Sequence, residues 1–328
     1  MAGSVREVSA YRGASDWAEG VASGAPPDPD VAARQERDAA HARLQAHAAG
    51  DPCQDFGRTD HDFDSCVHAV VQEPVLFLRQ ADDVDPIDSR DVNQGQLSDC
   101  NLLAPLAAMA GTPEGRDFLR NAIVENKNSN GDVVSYTVTL HASQERPGMV
   151  TFRKVTVTVD GPYIVGHAGA RANGSEREVW PLVMEKACAK YLGGYNKLGR
   201  PGDPSVAMKL VTGRNATSTS LDWPRRWVTP YSEARLKDDI TNGKLVVLTT
   251  KADLGETSEL ATVGSGSPAS RPAHGLTPGH AYFVKGVEQR AGKTFIALGN
   301  PWHDSDPELV PFDELTDWFA GVSRGSLP

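Results

Sequence analysis

Residues 94–103, Gln-Gly-Gln-Leu-Ser-Asp-Cys-Asn-Leu-Leu, set one cysteine where a polar loop runs into the apolar segment Leu102 to Ala110. The spacing predicts a helix that opens at Cys100. A thiol in that position lies near unpaired backbone N–H groups and the positive end of the helix dipole, which together favour the thiolate. A nucleophile of this kind needs a base, and the base needs a third group to orient it. The chain must therefore fold so that such groups return to Cys100 from elsewhere.

The candidates lie far down the sequence. Gly279 to Val287 reads as a strand, Gln289 to Lys293 as a turn and Thr294 to Asn300 as a returning strand. His280 and Asn300 are equidistant from a turn centre near Arg290, so an antiparallel hairpin is expected to set them face to face across roughly 5 Å. An amide that fixes the imidazole tautomer completes a Cys/His/Asn set.

At these residues the chain resembles the calpain-type cysteine protease core. Gln94-Gly95 with Ser98-Asp99-Cys100 and Leu102-Leu103, then Gly279-His280-Ala281-Tyr282, then Asn300-Pro301-Trp302 resemble that family's three signature blocks. Trp180 to Tyr191, with its Glu185-Lys186-Ala187 centre, is similar to the family helix that carries a tryptophan and a Glu-Lys-Ala core. The blocks stand in family order between about residue 81 and residue 328. The resemblance implies a peptidase in which Cys100, His280 and Asn300 are catalytic and Gln94 donates an N–H to the oxyanion beside the Cys100 backbone N–H. It also implies that Trp302 shields the His/Asn hydrogen bond or wedges the cleft, with Gly279 at a strand edge against which substrate backbone lies.

The family binds calcium in each half, and this sequence matches that pattern in part. Asp91 and Glu178 occupy the side-chain positions of the first site, whereas the acidic loop of the second is cut to His303-Asp304-Ser305-Asp306-Pro307-Glu308. No cofactor is required on this reading, and calcium is admitted as an optional ligand of Asp91 and Glu178. Asn101, Ser98 and His303 stand where the family usually has tryptophan, glycine and glycine, substitutions expected to alter cleft walls and loop flexibility.

Composition narrows the classes of function. A net charge of −10, from 33 Lys and Arg against 43 Asp and Glu, with no concentrated basic run, argues against phosphate neutralisation and hence against a nucleic-acid partner. The expected partner is a protein or peptide substrate. Cys53, Cys66, Cys100 and Cys188 have neither paired metal-ligand spacing nor the density of a disulfide framework, so unpaired thiols are expected. No window approaches the roughly 18 apolar residues of a membrane span, and no basic stretch followed by an apolar one opens the chain. The expected location is cytoplasmic or secreted by a leaderless route.

The fold class expected is α+β, a papain-like two-lobed protease core with an N-terminal helical extension. Residues 1–80 form that extension, in which Val31 to Ala49 is helical but poor in large apolar residues and so packs weakly or against a partner protein. Residues 81–204 form a helical lobe with the nucleophile, closed by a Gly/Pro-rich joint at Gly193 to Pro204. Residues 205–328 form a β-rich lobe with His280 and Asn300. Within the first lobe, helices are expected at Cys100 to Ala110, Glu114 to Glu125 and Val179 to Leu192, with a Val/Thr-rich ribbon at Asp132 to Leu140 and Val150 to Val159. Gly255 to Gly275, rich in Gly and Ser, reads as a mobile loop leading into the His280 strand. The function expected is calpain-like endopeptidase. Two rivals are a thiol acyl-transferase or amidase on the same fold and a catalytically silent peptide-binding module.

Overall fold

The computed structural model describes residues 69–72, 74–79, 83–95, 97–160, 163–166, 172–173, 176–221, 231–254, 273–302 and 306–328. Residues 1–68 of the expected helical extension, with the Cys53 and Cys66 region, and most of the Gly255 to Gly275 loop lie outside them, and the described end of that extension contains strands where helix was expected. The described chain opens with strands β1 (Ala69–Gln72) and β2 (Pro74–Val75), and a single 3-10 turn over Ser89–Asp91 leads to α1 (Cys100–Ala110). Then come α2 (Pro113–Ala122), β3 (Ile123–Lys127), β4 (Val133–Arg146), β5 (Met149–Asp160), β6 (Tyr163–Gly166), β7 (Ala172–Asn173), β8 (Glu176–Glu178) and α3 (Trp180–Leu192). The remainder is α4 (Tyr195–Leu198), α5 (Pro204–Thr212), β9 (Ala216–Ser220), α6 (Glu233–Thr241), β10 (Leu245–Thr250), β11 (Ala281–Arg290), β12 (Lys293–Gly299), β13 (Val310–Pro311), α7 (Leu315–Trp318) and β14 (Phe319–Gly325). The architecture is α+β.

Local chemistry sets most helix limits. Thr112 accepts the Gly115 N–H and Asp203 accepts the Ser205 N–H, each followed by a proline in the first turn whose missing N–H costs nothing there. Gly193 ends α3 in the left-handed region at φ 90°, and the Gly194 N–H turns back to Ala189 O. The helix expected from Glu114 to Glu125 stops earlier: the chain straightens at Ile123, whose β-branched side chain pairs with Val138 in a sheet. The Val/Thr ribbon runs beyond its expected ends, as β4 and β5 continue to the Arg146–Met149 pair.

Two cores follow. The first gathers Leu102, Leu103, Leu106 and Met109 of α1, Trp180, Val183 and Met184 of α3, and Tyr136, Val138 and Leu140 of β4. It extends past the Gly193 to Pro204 joint to Met208 and Val211 of α5. The second gathers Val246, Leu248, Tyr282, Ile296, Leu298, Phe319 and Val322 on one face of a six-stranded sheet ordered β13-β12-β11-β10-β14-β9. Strand β10 explains how the two meet: Leu245 and Val247 enter the first core while Val246 and Leu248 enter the second. A strand buried on both faces reads as an unbroken apolar run, and Leu-Val-Val-Leu is one. Helix α1 packs against β10 and β11, which brings Cys100 to the sheet edge that carries His280. Among the described residues no helix is long and apolar enough to cross a membrane.

Candidate active site

Helix α1 begins at Cys100, as the loop-to-helix pattern predicts. The surroundings of the sulfur pull its protonation in both directions. Burial pushes the thiol up to about 11, and the neighbouring Asp99 carboxyl adds to the rise, while N–H groups of Ala281, Asn101 and Cys100 itself pull the other way. A helix terminus offsets only part of the cost of removing the sulfur from water. The packing of α1 on β11 sets Cys100 near the start of that strand, whose first residue, Ala281, immediately follows His280.

His280 is 3% exposed, and its backbone is fixed by Thr250, the last residue of β10. The His280 N–H donates to Thr250 Oγ1 at 2.8 Å, and the His280 carbonyl accepts the Thr250 N–H at 2.9 Å. The ring Nε2 donates to Asn300 Oδ1 at 3.0 Å, since a carbonyl oxygen can only accept. Trp302 stacks on the imidazole at 4.1 Å between centroids and 20° between planes, and Tyr282 meets it edge-on at 4.8 Å. The Trp302 N–H donates to the same Asn300 oxygen at 3.1 Å.

The meeting of His280 and Asn300 is not the face-to-face pair expected. The turn centres on Ala291 and Gly292, both at positive φ (48° and 79°), as a two-residue hairpin loop requires. The register then shifts between Val284 and Gly286, so Phe283 pairs with Gly299. Asn300, next after Gly299, and His280, three before Phe283, are therefore out of register. They meet diagonally through their side chains.

Gln94 is buried at 7% exposure, with Nε2 donating to Leu97 O at 2.6 Å. Its backbone N–H donates to Pro301 O at 2.7 Å, which ties the loop before Cys100 to the segment after Asn300. Gly279 sits at φ 63°, where a side chain would be strained, and open space surrounds the point where its Cβ would stand. Asn101 is 2% exposed, so it faces the interior and not a cleft wall. Asp99, at 1%, lies against Glu185 of α3, at 0%; burial first and Glu185 second hold the Asp99 carboxyl well above its ordinary value. Cys188 is unpaired like Cys100, and burial followed by Glu185 and Asp99 pushes its thiol up.

The two candidate calcium ligands are buried near the start of α3. Asp91 Oδ2 accepts Trp180 Nε1–H at 3.1 Å and the Asp88 N–H at 2.6 Å, and Glu178 Oε1 accepts the Leu78 N–H at 2.9 Å. Among the described residues no group of three or more His, Cys, Asp or Glu side chains could hold a metal. A calcium ion with six to eight oxygen ligands would draw most of its shell there from backbone carbonyls.

The sequence profile that matches the chain, over residues 70–318, is that of the calpain family cysteine protease. The chain belongs to the calpain family. Human calpain-7 is 24% identical over 224 residues, 66% of this chain and 25% of that protein. Rat calpain-13 is 27% identical over 224 residues, covering 66% and 29%. The calpain-type cysteine protease ADL1 of Oryza sativa subsp. japonica is 26% identical over 255 residues, covering 76% and 10%. This calpain-family chain thus spans less than a third of the length of these relatives. Sequence reasoning missed Thr250 and gave no such role to Tyr282 or to Asp306, whose carboxylate accepts the Asn300 N–H. Thr250 ends an apolar strand and Asp306 lies in an acidic run, signals too common to single out either.

Proposed function

We propose that this chain is a calpain-like endopeptidase that cleaves peptide bonds through Cys100, His280 and Asn300. The observation that carries the reading is the His280 Nε2–Asn300 Oδ1 bond of 3.0 Å, made just before β11, the strand against which the helix that opens at Cys100 packs. With Nε2 committed to the amide, Nδ1 is the nitrogen that takes the Cys100 proton, and the resulting imidazolium offsets the burial that otherwise keeps the thiol neutral. The Cys100 sulfur attacks the peptide carbonyl, and His280 returns its proton to the leaving amine. Water then releases the acyl group with His280 as base. The Cys100 N–H and the Gln94 amide stabilise the oxyanion. Substrate backbone lies along Gly279, where no Cβ intervenes, and Trp302 keeps water from the His280–Asn300 bond.

The finer architecture belongs to the same proposal: a papain-like pair of lobes, 81–204 and 205–328, preceded by an extension over 1–80, ending in strands β1 and β2, that binds a partner protein. Calcium is proposed as an optional ligand of Asp91 and Glu178, sharing backbone carbonyls of the Asp82 to Pro86 loop; it would tie that loop to the start of α3. The location proposed is cytoplasmic or leaderless-secreted. Incubation with casein and identification of the products by mass spectrometry tests the activity. New peptide termini lost in Cys100→Ala are expected. Intact casein, or amine incorporation at glutamine instead of cleavage, would remove the endopeptidase reading.

A further inference from the structure

Asn300 stands one residue past the end of β12, where the ladder with β11 has already closed on the Phe283–Gly299 pair. Its backbone N–H needs an acceptor from outside the sheet. Asp306 supplies one: Oδ1 accepts that N–H at 3.0 Å. The other oxygen of the same carboxylate accepts Lys285 Nζ–H at 2.8 Å. Lys285 is the extra residue of the bulge in β11, between Val284, which pairs with Leu298, and Gly286, which pairs with Ala297. Bulges re-aim side chains and gather beside active sites. One line of contacts thus runs from the bulge through Lys285 and Asp306 to the Asn300 backbone, and from the Asn300 amide oxygen to His280 and the Trp302 N–H.

We propose that Lys285 and Asp306 are positioning residues for the reaction, holding the Asn300 backbone where its amide keeps His280 in one tautomer and one orientation. The inference rests on the endopeptidase reading. Lys285 and Asp306 are half exposed, at 48% and 46%, and an isolated surface pair contributes little to stability. Its consequence therefore falls on the geometry of Asn300 and not on the fold.

The test uses the full chain with Asp306→Asn, Lys285→Met and Lys285→Arg, read by casein-peptide kinetics and by iodoacetamide alkylation of Cys100 across pH. Asp306→Asn is expected to lower kcat about tenfold with KM changed by less than about twofold, since a misplaced catalytic group costs rate more than binding. Lys285→Met is expected to lose about threefold and Lys285→Arg to restore most of it, because the Arg head keeps the charge. Alkylation below about pH 8 slows in the same order, as the imidazolium that holds the thiolate is less firmly fixed. Raising salt to about 1 M brings the wild type towards Lys285→Met and leaves Lys285→Met unchanged. Wild-type kcat and alkylation profiles in Asp306→Asn would overturn the proposal. A fall in kcat matched by a fall in melting temperature, with Lys285→Arg no better than Lys285→Met, would also overturn it by reducing the pair to a structural contact. If the wild type cleaves no peptide, the endopeptidase reading fails by itself and the alkylation series decides this one.

Discussion

At Cys100 two opposing effects have similar reach. Burial raises the thiol to about 11, and the N–H groups at the start of α1 and at Ala281 recover part of the loss. The imidazolium of His280 is the remaining source of compensation, which makes the base responsible for activation as well as for proton transfer. Alkylation by iodoacetamide is therefore expected to titrate below the ordinary thiol range of roughly 8.5 in the wild type. In His280→Ala it should move up, since burial then acts without a compensating imidazolium. Superimposable profiles for the two proteins would show that His280 does not hold the thiolate. Cys100→Ala is expected to lose peptide hydrolysis while its unfolding free energy stays within about 1 kcal/mol of wild type, since a small half-buried side chain is replaced by one slightly smaller. Comparison of turnover with urea unfolding checks both halves of that statement.

The Asp99 carboxyl at the N-cap of α1 and the Glu185 carboxyl of α3 are both buried, and Glu185 adds to the rise that burial imposes on Asp99. Two such groups cannot both ionise cheaply, so protonation of the pair is favoured; Asp99 makes no side-chain cap to α1. The sign follows from linkage. A carboxyl raised in the folded state contributes stability that is fully present below the unfolded value of 3.8 and is lost as pH rises through the folded value. Asp99→Asn, which keeps the shape and removes the titration, is expected to flatten the fall in unfolding free energy as pH rises above the unfolded value of 3.8. Urea titrations at several pH values measure it, and a slope equal to wild type would show that Asp99 is ionised in the folded chain.

Over the whole molecule the site depends on contacts between segments distant in sequence, among them the Gln94 N–H on Pro301 O and the Trp180 indole on Asp91. If Asp91 and Glu178 hold calcium with only two side-chain carboxylates, affinity is expected on the order of 10⁻⁴ M or weaker, because affinity rises with ligand charge. Millimolar calcium should then raise turnover several-fold and raise the melting temperature, with Glu178→Gln abolishing both responses and keeping basal turnover. Indifference of both readouts to calcium and to chelator would dispose of the site. Much of the chain's plan was legible in order along the sequence. The opening of α1 at Cys100, the Gly193 end of α3 and the β11–β12 hairpin are local matters of polar-to-apolar change, glycine at positive φ and two-residue turns, which a few neighbouring residues decide by themselves. Helices α5 and α6 and strands β9 and β14 were not legible, since their apolar positions gain meaning only against the faces they cover. The sequence by itself also brought together the residue types of the site: a cysteine at a helix start, a histidine and an asparagine on one hairpin. Tertiary structure alone decided the diagonal His280–Asn300 contact, through a bulge at Lys285 that no pattern of residues announces. It also decided the burial that raises the Cys100 thiol, because desolvation is a property of what packs around a sulfur and not of its place in the chain.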